Sequence, residues 1–317
     1  MISSFKMVAI NAMAALVICT LIPLSVSADP KVGVIIPELR APFNIIFEKI
    51  GDGVDERLRK RAPKLRLEKN YDSGEVARWI KKEKINAIVS LGNLGQEAVL
   101  QIPENIPVVL GALSSSPAPP NKYPGIALTP NPRTLFDLLK RLDNRSNKII
   151  VVYNPDNNQW LVDLAKQQAV DSGIQLYAYQ AANIKQSAIL FSEIFDGASL
   201  ENTAIWLLPD RKVVDSKVVM PFILEKAWQK KVIVFSSAIS HVKKGVLFSL
   251  YPNNESHGKE LTELILSEVT GFSSAGNKLF PTMGLQNAIN SRTAEHLGLT
   301  ISRSEIKEFD VVFPLSN

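Results

Sequence analysis

Asp143-Asn-Arg-Ser-Asn147, followed at once by Lys148-Ile-Ile-Val-Val-Tyr-Asn-Pro155, decides the fold. Five polar or charged residues interrupt the chain. An apolar run of strand length then begins and stops at an Asn-Pro turn. Upstream, strand-like runs at 31–36, 65–71, 87–91, 107–111 and 125–128 alternate with helical spacing, as at Phe43, Ile46, Phe47, Ile50, Val54 and Leu58. Downstream, the same alternation restarts, with strand-like runs at 148–153, 174–179, 204–208, 232–235 and 245–251 and helices between them. Strands separated by helices imply parallel sheets covered on both faces. The restart at residue 148 implies two such units. The fold class is α/β, with two lobes and a cleft between them.

The chain has 317 residues, and Lys6 is the only charged one in the first 28. Met7 to Val26 run almost wholly apolar, and Val26-Ser27-Ala28 precede Asp29 and Pro30. This pattern predicts a secretory signal peptide over 1–28, cleaved after a small-residue site. The alternative is an uncleaved anchor, because the apolar run approaches the roughly 20 residues that span a bilayer. The only cysteine, Cys19, lies inside this segment, so the mature chain offers neither a disulfide nor a cysteine nucleophile. The balance of 36 basic and 31 acidic residues is a mild excess, which gives no reason to invoke nucleic acid.

Familiar enzyme signatures are absent from the sequence. It has no phosphate-binding Walker loop, no G-x-S-x-G elbow and no H-E-x-x-H pair. His241, His257 and His296 are scattered, with no second metal ligand at helical spacing. No cofactor and no catalytic residue are expected.

What remains is a row of polar residues at the carboxyl ends of the expected strands, where open parallel sheets bind ligands. The first lobe offers Gly92, Asn93, Ser114, Ser115 and Ser116. The second offers Tyr153, Asn154, Asp210, Ser236 and Ser237, with Tyr251 and Trp160 as aromatic surfaces. Asn93 either caps a helix or opens an anion site at its N-terminus. The three serines are either ligand hydroxyls or a plain Ser/Pro linker. Asn154 is either a ligand contact or a turn residue before Pro155. Asp210 needs a partner for a carboxylate at the end of a buried strand. A ligand ammonium would serve, as would Arg211, Lys212 or a backbone cap.

The C-terminal third carries a family resemblance. Lys243-Lys-Gly-Val-Leu-Phe-Ser-Leu-Tyr251, His257-Gly-Lys-Glu-Leu-Thr-Glu-Leu264 and Asn290-Ser-Arg-Thr-Ala-Glu-His-Leu-Gly-Leu-Thr-Ile301 resemble the periplasmic substrate-binding proteins of ABC transporters, the group related to tryptophan- and tyrosine-binding proteins. Tyr153-Asn-Pro155 and Leu208-Pro-Asp210 fit the same pattern. The resemblance implies a type I periplasmic-binding fold: two Rossmann-like lobes, joined by a hinge, with crossings near residues 146, 248 and 280. Lobe one would then hold 29–146 plus about 249–280, and lobe two 147–248 plus about 281–317. The chain departs from the group at Gly92-Asn93, where relatives place a threonine after the glycine. It departs again at Ser114-Ser-Ser-Pro117, where they carry an aspartate-proline pair.

These readings imply a monomeric periplasmic receptor, not an enzyme. It would clamp an amino acid or similar small molecule and deliver it to an ABC permease in the inner membrane. The alternative use of the same fold is a ligand-sensing or interaction subunit for a membrane signalling protein.

Overall fold

A computed structural model describes residues 29–113, 122–197, 199–273 and 275–315. The expected signal peptide over 1–28 lies outside these residues. Among the described residues, no helix is long and apolar enough to cross a membrane.

The first run of alternation forms β1 (Val32–Pro37), α1 (Asn44–Leu58), β2 (Lys64–Leu67), α2 (Glu75–Glu83), β3 (Ala87–Leu91), α3 (Gly92–Val99), β4 (Val108–Leu113) and β5 (Gly125–Pro130). The second forms α4 (Pro132–Leu142), β6 (Lys148–Tyr153), α5 (Pro155–Asp171), β7 (Gln175–Gln180), α6 (Ile184–Gly197), β8 (Thr203–Leu207), α7 (Val219–Lys230), β9 (Ile233–Ser236), α8 (Ile239–Val242) and β10 (Phe248–Pro252). The tail adds α9 (Asn254–Thr270), β11 (Leu279–Thr282), β12 (Leu285–Asn290), α10 (Ser291–His296), α11 (Arg303–Ile306) and β13 (Val311–Phe313).

Two sheets result, ordered β11-β5-β4-β3-β1-β2 and β13-β12-β10-β9-β8-β6-β7. All neighbours run parallel except β10 and β12. The α/β class read from the sequence is the one observed. In the first sheet, Ile50 and Val54 of α1 and Leu261 and Ile265 of α9 cover Val34, Val89 and Val109. Val76 of α2 and Val99 of α3 cover the opposite face at Ile35, Ile88 and Leu110. This two-sided burial explains why the strands read as continuous apolar runs. In the second sheet, α4 and α5 cover one face and α6 and α7 the other. Phe136 of α4 meets Trp206 edge-on at 5.9 Å, and Trp206, Phe235 and Phe248 stack in a row across β8, β9 and β10.

One expectation is corrected here. The sequence reading keeps the chain in the first lobe to residue 146, yet Leu135, Phe136, Leu138 and Leu139 of α4 pack in the core of the second sheet. The chain crosses earlier, at Asn131-Pro132, where Asn131 caps α4 by accepting from the Arg133 N–H. The polar break at 143–147 is a turn inside the second unit, with Asp143 accepting from Arg145 Nε and Ser146 Oγ, each at 2.8 Å. The other crossings fall at 252–254 and 282–285.

The crossings lie together. Asn253 donates its backbone N–H to Gly284 O at 2.9 Å. The Glu260 carboxylate accepts from Thr282 Oγ1 at 3.0 Å, from Met283 N at 3.1 Å and from Gly284 N. Helix α9 can reach the first sheet because it meets α1 backbone to backbone. A Cβ on Gly53 would stand 1.9 Å from Glu255 O, and one on Gly258 would stand 2.0 Å from Ile50 O. Both obstacles are main-chain atoms, so no rotamer change relieves them. Gly258→Ala is therefore expected to cost about 3 kcal/mol or more in urea denaturation. Gly197→Ala, with nothing within 4 Å of its Cβ, is expected to change stability by less than about 1 kcal/mol.

Candidate functional site

Strands β5 and β11 leave the first sheet at their carboxyl ends, and β10 leaves the second at its own. The crossings therefore join the carboxyl edges of the two sheets, the edges where open α/β sheets bind ligands. Among the described candidates, Gly92, Asn93, Asn154, Asp210, Ser236 and Ser237 lie at or just after strand carboxyl ends.

In the second unit, Asn158, a residue that the sequence reading missed, links Asn154 and Asp210 by hydrogen bonds. Asn154 occupies the cap position of α5 without a side-chain capping bond, and its carbonyl accepts the Asn158 N–H at 3.0 Å. The Asn158 side chain then donates Nδ2–H to Asp210 Oδ2 at 2.8 Å. Asp210 Oδ1 accepts the Lys212 backbone N–H at 3.0 Å. Of the partners left open for Asp210, the structure supplies the backbone cap. Lys212 Nζ reaches Asp156 instead, at 3.6 Å. Asp210 is only 6% exposed, and among the described residues it makes no ion pair. Its carboxylate is held by neutral donors alone.

Asn154 is also buried, at 2% exposure. Its Nδ2 donates to Ala181 O and Ala182 O, both at 3.3 Å. Its Oδ1 is buried without a partner among the described residues. A buried acceptor left unpaired costs about 1–3 kcal/mol. Beside this group, Tyr153 donates to Gln159 Oε1 at 3.0 Å and accepts from Gln180 Nε2 at 3.2 Å. Two consecutive polar residues about one turn into the helix that follows Asn154 were the available sequence signal for Asn158 and Gln159.

In the first unit, α3 begins at Gly92 with Leu91 in the cap position, so Asn93 is not a cap. Asn93 is exposed on the first turn, where backbone N–H groups lack intrahelical acceptors. Gly92 has φ of +70° and lies under the Phe47 ring, 3.2 Å from where a Cβ would stand, so the turn requires glycine. Ser114, Ser115 and Ser116 lie outside the described residues.

Ser236 and Ser237 are engaged internally. Ser236 is fully buried and donates its hydroxyl to Leu207 O at 2.9 Å. Its single proton being spent there, the 2.7 Å contact to His241 makes Nδ1–H the donor and Ser236 Oγ the acceptor. This is the reverse of a serine activated by a base. Ser237 Oγ accepts from Trp206 Nε1 at 3.3 Å. Tyr251 is half-buried against the cluster of Val242, Ala288 and Phe313, and burial together with Asp310 pushes its phenol up. Trp160 packs on the second-sheet core.

His257, near the start of α9, has a role that the sequence did not suggest. Its Nε2 accepts the Ala112 N–H at 3.2 Å. Ala112 has φ of +55° and forms a bulge in β4, where the register with β5 shifts between Gly111 and Leu113. Acceptance at Nε2 puts the proton on Nδ1, which is buried without a partner among the described residues.

Burial lowers the pKa of His257 to about 3, while burial and then Lys244 lower that of His241 to about 4. An unfolded histidine takes up its proton near pH 6.5. Below that pH the unfolded chain holds an extra proton for each residue, until the folded form titrates as well. Stability therefore falls as pH drops from about 6.5 towards 4, and the loss from these groups levels off below their folded values. His257→Gln can still accept from Ala112, and it should flatten this slope by about 1.4 kcal/mol per pH unit in urea titrations between pH 6 and 4.5.

The family model for ABC transporter substrate binding proteins matches residues 68–310. No curated protein matches the chain. Among solved structures, it is similar to a ligand-free, open structure of a substrate-binding protein with adhesive properties from Clostridium difficile. There the identity is 17%, the TM-score is 0.62, and the match covers 89% of this chain and 99% of that one. It is similar to an ABC domain in complex with L-Trp from Streptococcus pneumonia, at 19% identity and TM-score 0.54, covering 90% and 100%. A conserved domain protein from Vibrio cholerae matches at 20% identity and TM-score 0.53, covering 89% and 99%. At these identities the three structures speak to the fold alone.

Proposed function

The chain belongs to the ABC transporter substrate binding protein family, and from that premise we propose that it is the periplasmic receptor of an uptake system, closing two lobes on an amino acid or similar solute. The observation that carries this reading is the pair at the carboxyl edge of the second sheet. Asp210 is a buried carboxylate with only neutral donors, and Asn154 Oδ1 is a buried acceptor with no donor among the described residues. A ligand ammonium answers both needs, because it brings a positive charge to Asp210 and N–H donors to spare. The first turn of α3, where Asn93 is exposed, is the complementary surface for a carboxylate. The partner would be a membrane permease, and the receptor itself would make or break no bonds.

The test is a thermal-shift screen against α-amino acids, their decarboxylated amines and their deaminated acids, with calorimetry on the hits. An α-amino acid at 100 times its Kd is expected to stabilise the protein by about 2.7 kcal/mol. Asp210→Asn keeps the shape and loses the charge, and is expected to weaken that ligand at least about tenfold. A well-folded protein stabilised by no small solute overturns the proposal. So does undiminished affinity in Asp210→Asn.

A further inference from the structure

Among the described residues, the two sheets end in four edge strands: β11, β2, β13 and β7. An open strand edge is a template for another strand, and proteins blunt such edges with charge, proline or shortness. Three of the four are blunted. The β2 edge carries Lys64 and Arg66, in ion pairs with Asp55 and Glu48. The β11 edge carries Pro281. The β13 edge is three residues long and runs into Pro314.

The β7 edge has no such device. Gln175-Leu-Tyr-Ala-Tyr-Gln180 is six residues long, and no charged residue or proline occurs from Ser172 to Ile184. Leu176 and Ala178 turn inward to the core beneath α5. Tyr177 and Tyr179 turn to the other face and stay 43% and 38% exposed. Ile184 and Ile189 of α6 are exposed as well, at 39% and 50%. An uncharged edge bordered by aromatic and aliphatic surface is thus left without a partner strand.

The occupant is written in the strand itself. Paired antiparallel with its own copy about Ala178, the strand sets Tyr177 opposite the mate's Tyr179, Tyr179 opposite the mate's Tyr177, and Leu176 opposite the mate's Gln180. Two tyrosine pairs then share one face, and no like charges meet. A twofold axis through Ala178 gives this arrangement, the self-complementary geometry of a homodimer. We propose that β7 pairs with the β7 of a second copy of this chain, joining the two seven-stranded sheets into one continuous sheet. Because the strands run antiparallel, the two ligand-binding edges face in opposite directions, so one copy at a time addresses a given membrane surface. The proposal runs against the monomer expected from the sequence and does not depend on what the cleft binds.

The test is light scattering on a sizing column over about 1–100 µM protein. A mass rising to twice that of the chain is expected. Tyr177→Lys with Tyr179→Lys places lysines opposite lysines across the axis. It is expected to weaken association at least about tenfold, with an unchanged circular dichroism spectrum and melting temperature in dilute solution. Hydrogen exchange supplies a second readout that needs no variant: the β7 amides not bonded to β6 are expected to gain protection with concentration. A monomer throughout the range overturns the proposal. So does a dimer that survives the lysine variant, or one whose β7 amides stay unprotected.

Discussion

The fold turns on one close approach, that of Gly53 in α1 to the backbone of α9 at Glu255 and of Gly258 in α9 to the backbone of α1 at Ile50. Helix α9 follows β10 of the second sheet and must return to the first. With Cβ atoms at either position, the helices would stand further apart, and Leu261 and Ile265 would be drawn away from Val89 and Val109. The same stretch of α9 carries three further attachments. His257 accepts from the Ala112 bulge, Glu260 collects the donors of the 282–284 crossing, and Leu261 lies against Gly111 of β4. Four residues on one helix thus fix the first sheet, one of its strand ends and the chain's return path together. This concentration of contacts makes the linkage between the sheets specific without a large interface.

The architecture was legible because its signals are local and repeated. Buried parallel strands such as 32–37, 87–91 and 148–153 are short continuous apolar runs, and periodicity alone places helices between them. Ownership of α4 was not legible. Its apolar stripe fits either sheet, and only the partner surface around Trp206 decides. The polar residues 143–147 look like a boundary, yet they are a satisfied turn. Asn131-Pro132 marks the true crossing and reads in sequence as nothing more than a helix start.

The candidate site shows the same division. Strand ends predict which backbone positions lie at the carboxyl edge of a sheet, and Asn154 and Asp210 follow β6 and β8 there. Strand ends do not predict what each side chain does once there. Ser236 and Ser237 occupy the right edge but are consumed by Leu207, His241 and Trp206, long-range partners that no local pattern announces. Asn158 is tied to Asp210 by one side-chain bond across 52 positions of sequence. Polar type at a strand end identifies candidates, and unspent hydrogen-bonding capacity separates those that can serve a guest from those that cannot.

If the chain is the receptor proposed above, that unspent capacity also constrains the guest. A ligand that satisfied only Asp210 and Asn154 would bind the second unit equally well whether the cleft stood open or closed, and binding without preference for one state shifts no equilibrium. Closure would then need a ligand with a second polar end for the opposite edge, where the first turn of α3 carries the exposed Asn93. The two edges differ in sign: one holds a carboxylate, the other the positive end of a helix. A small zwitterion matches both at once, whereas a plain amine or a plain acid matches one. On the proposed reading, the opposed charge of the two edges would turn occupancy into closure, with the crossings at 131, 253 and 283 as the pivot about which the lobes would turn.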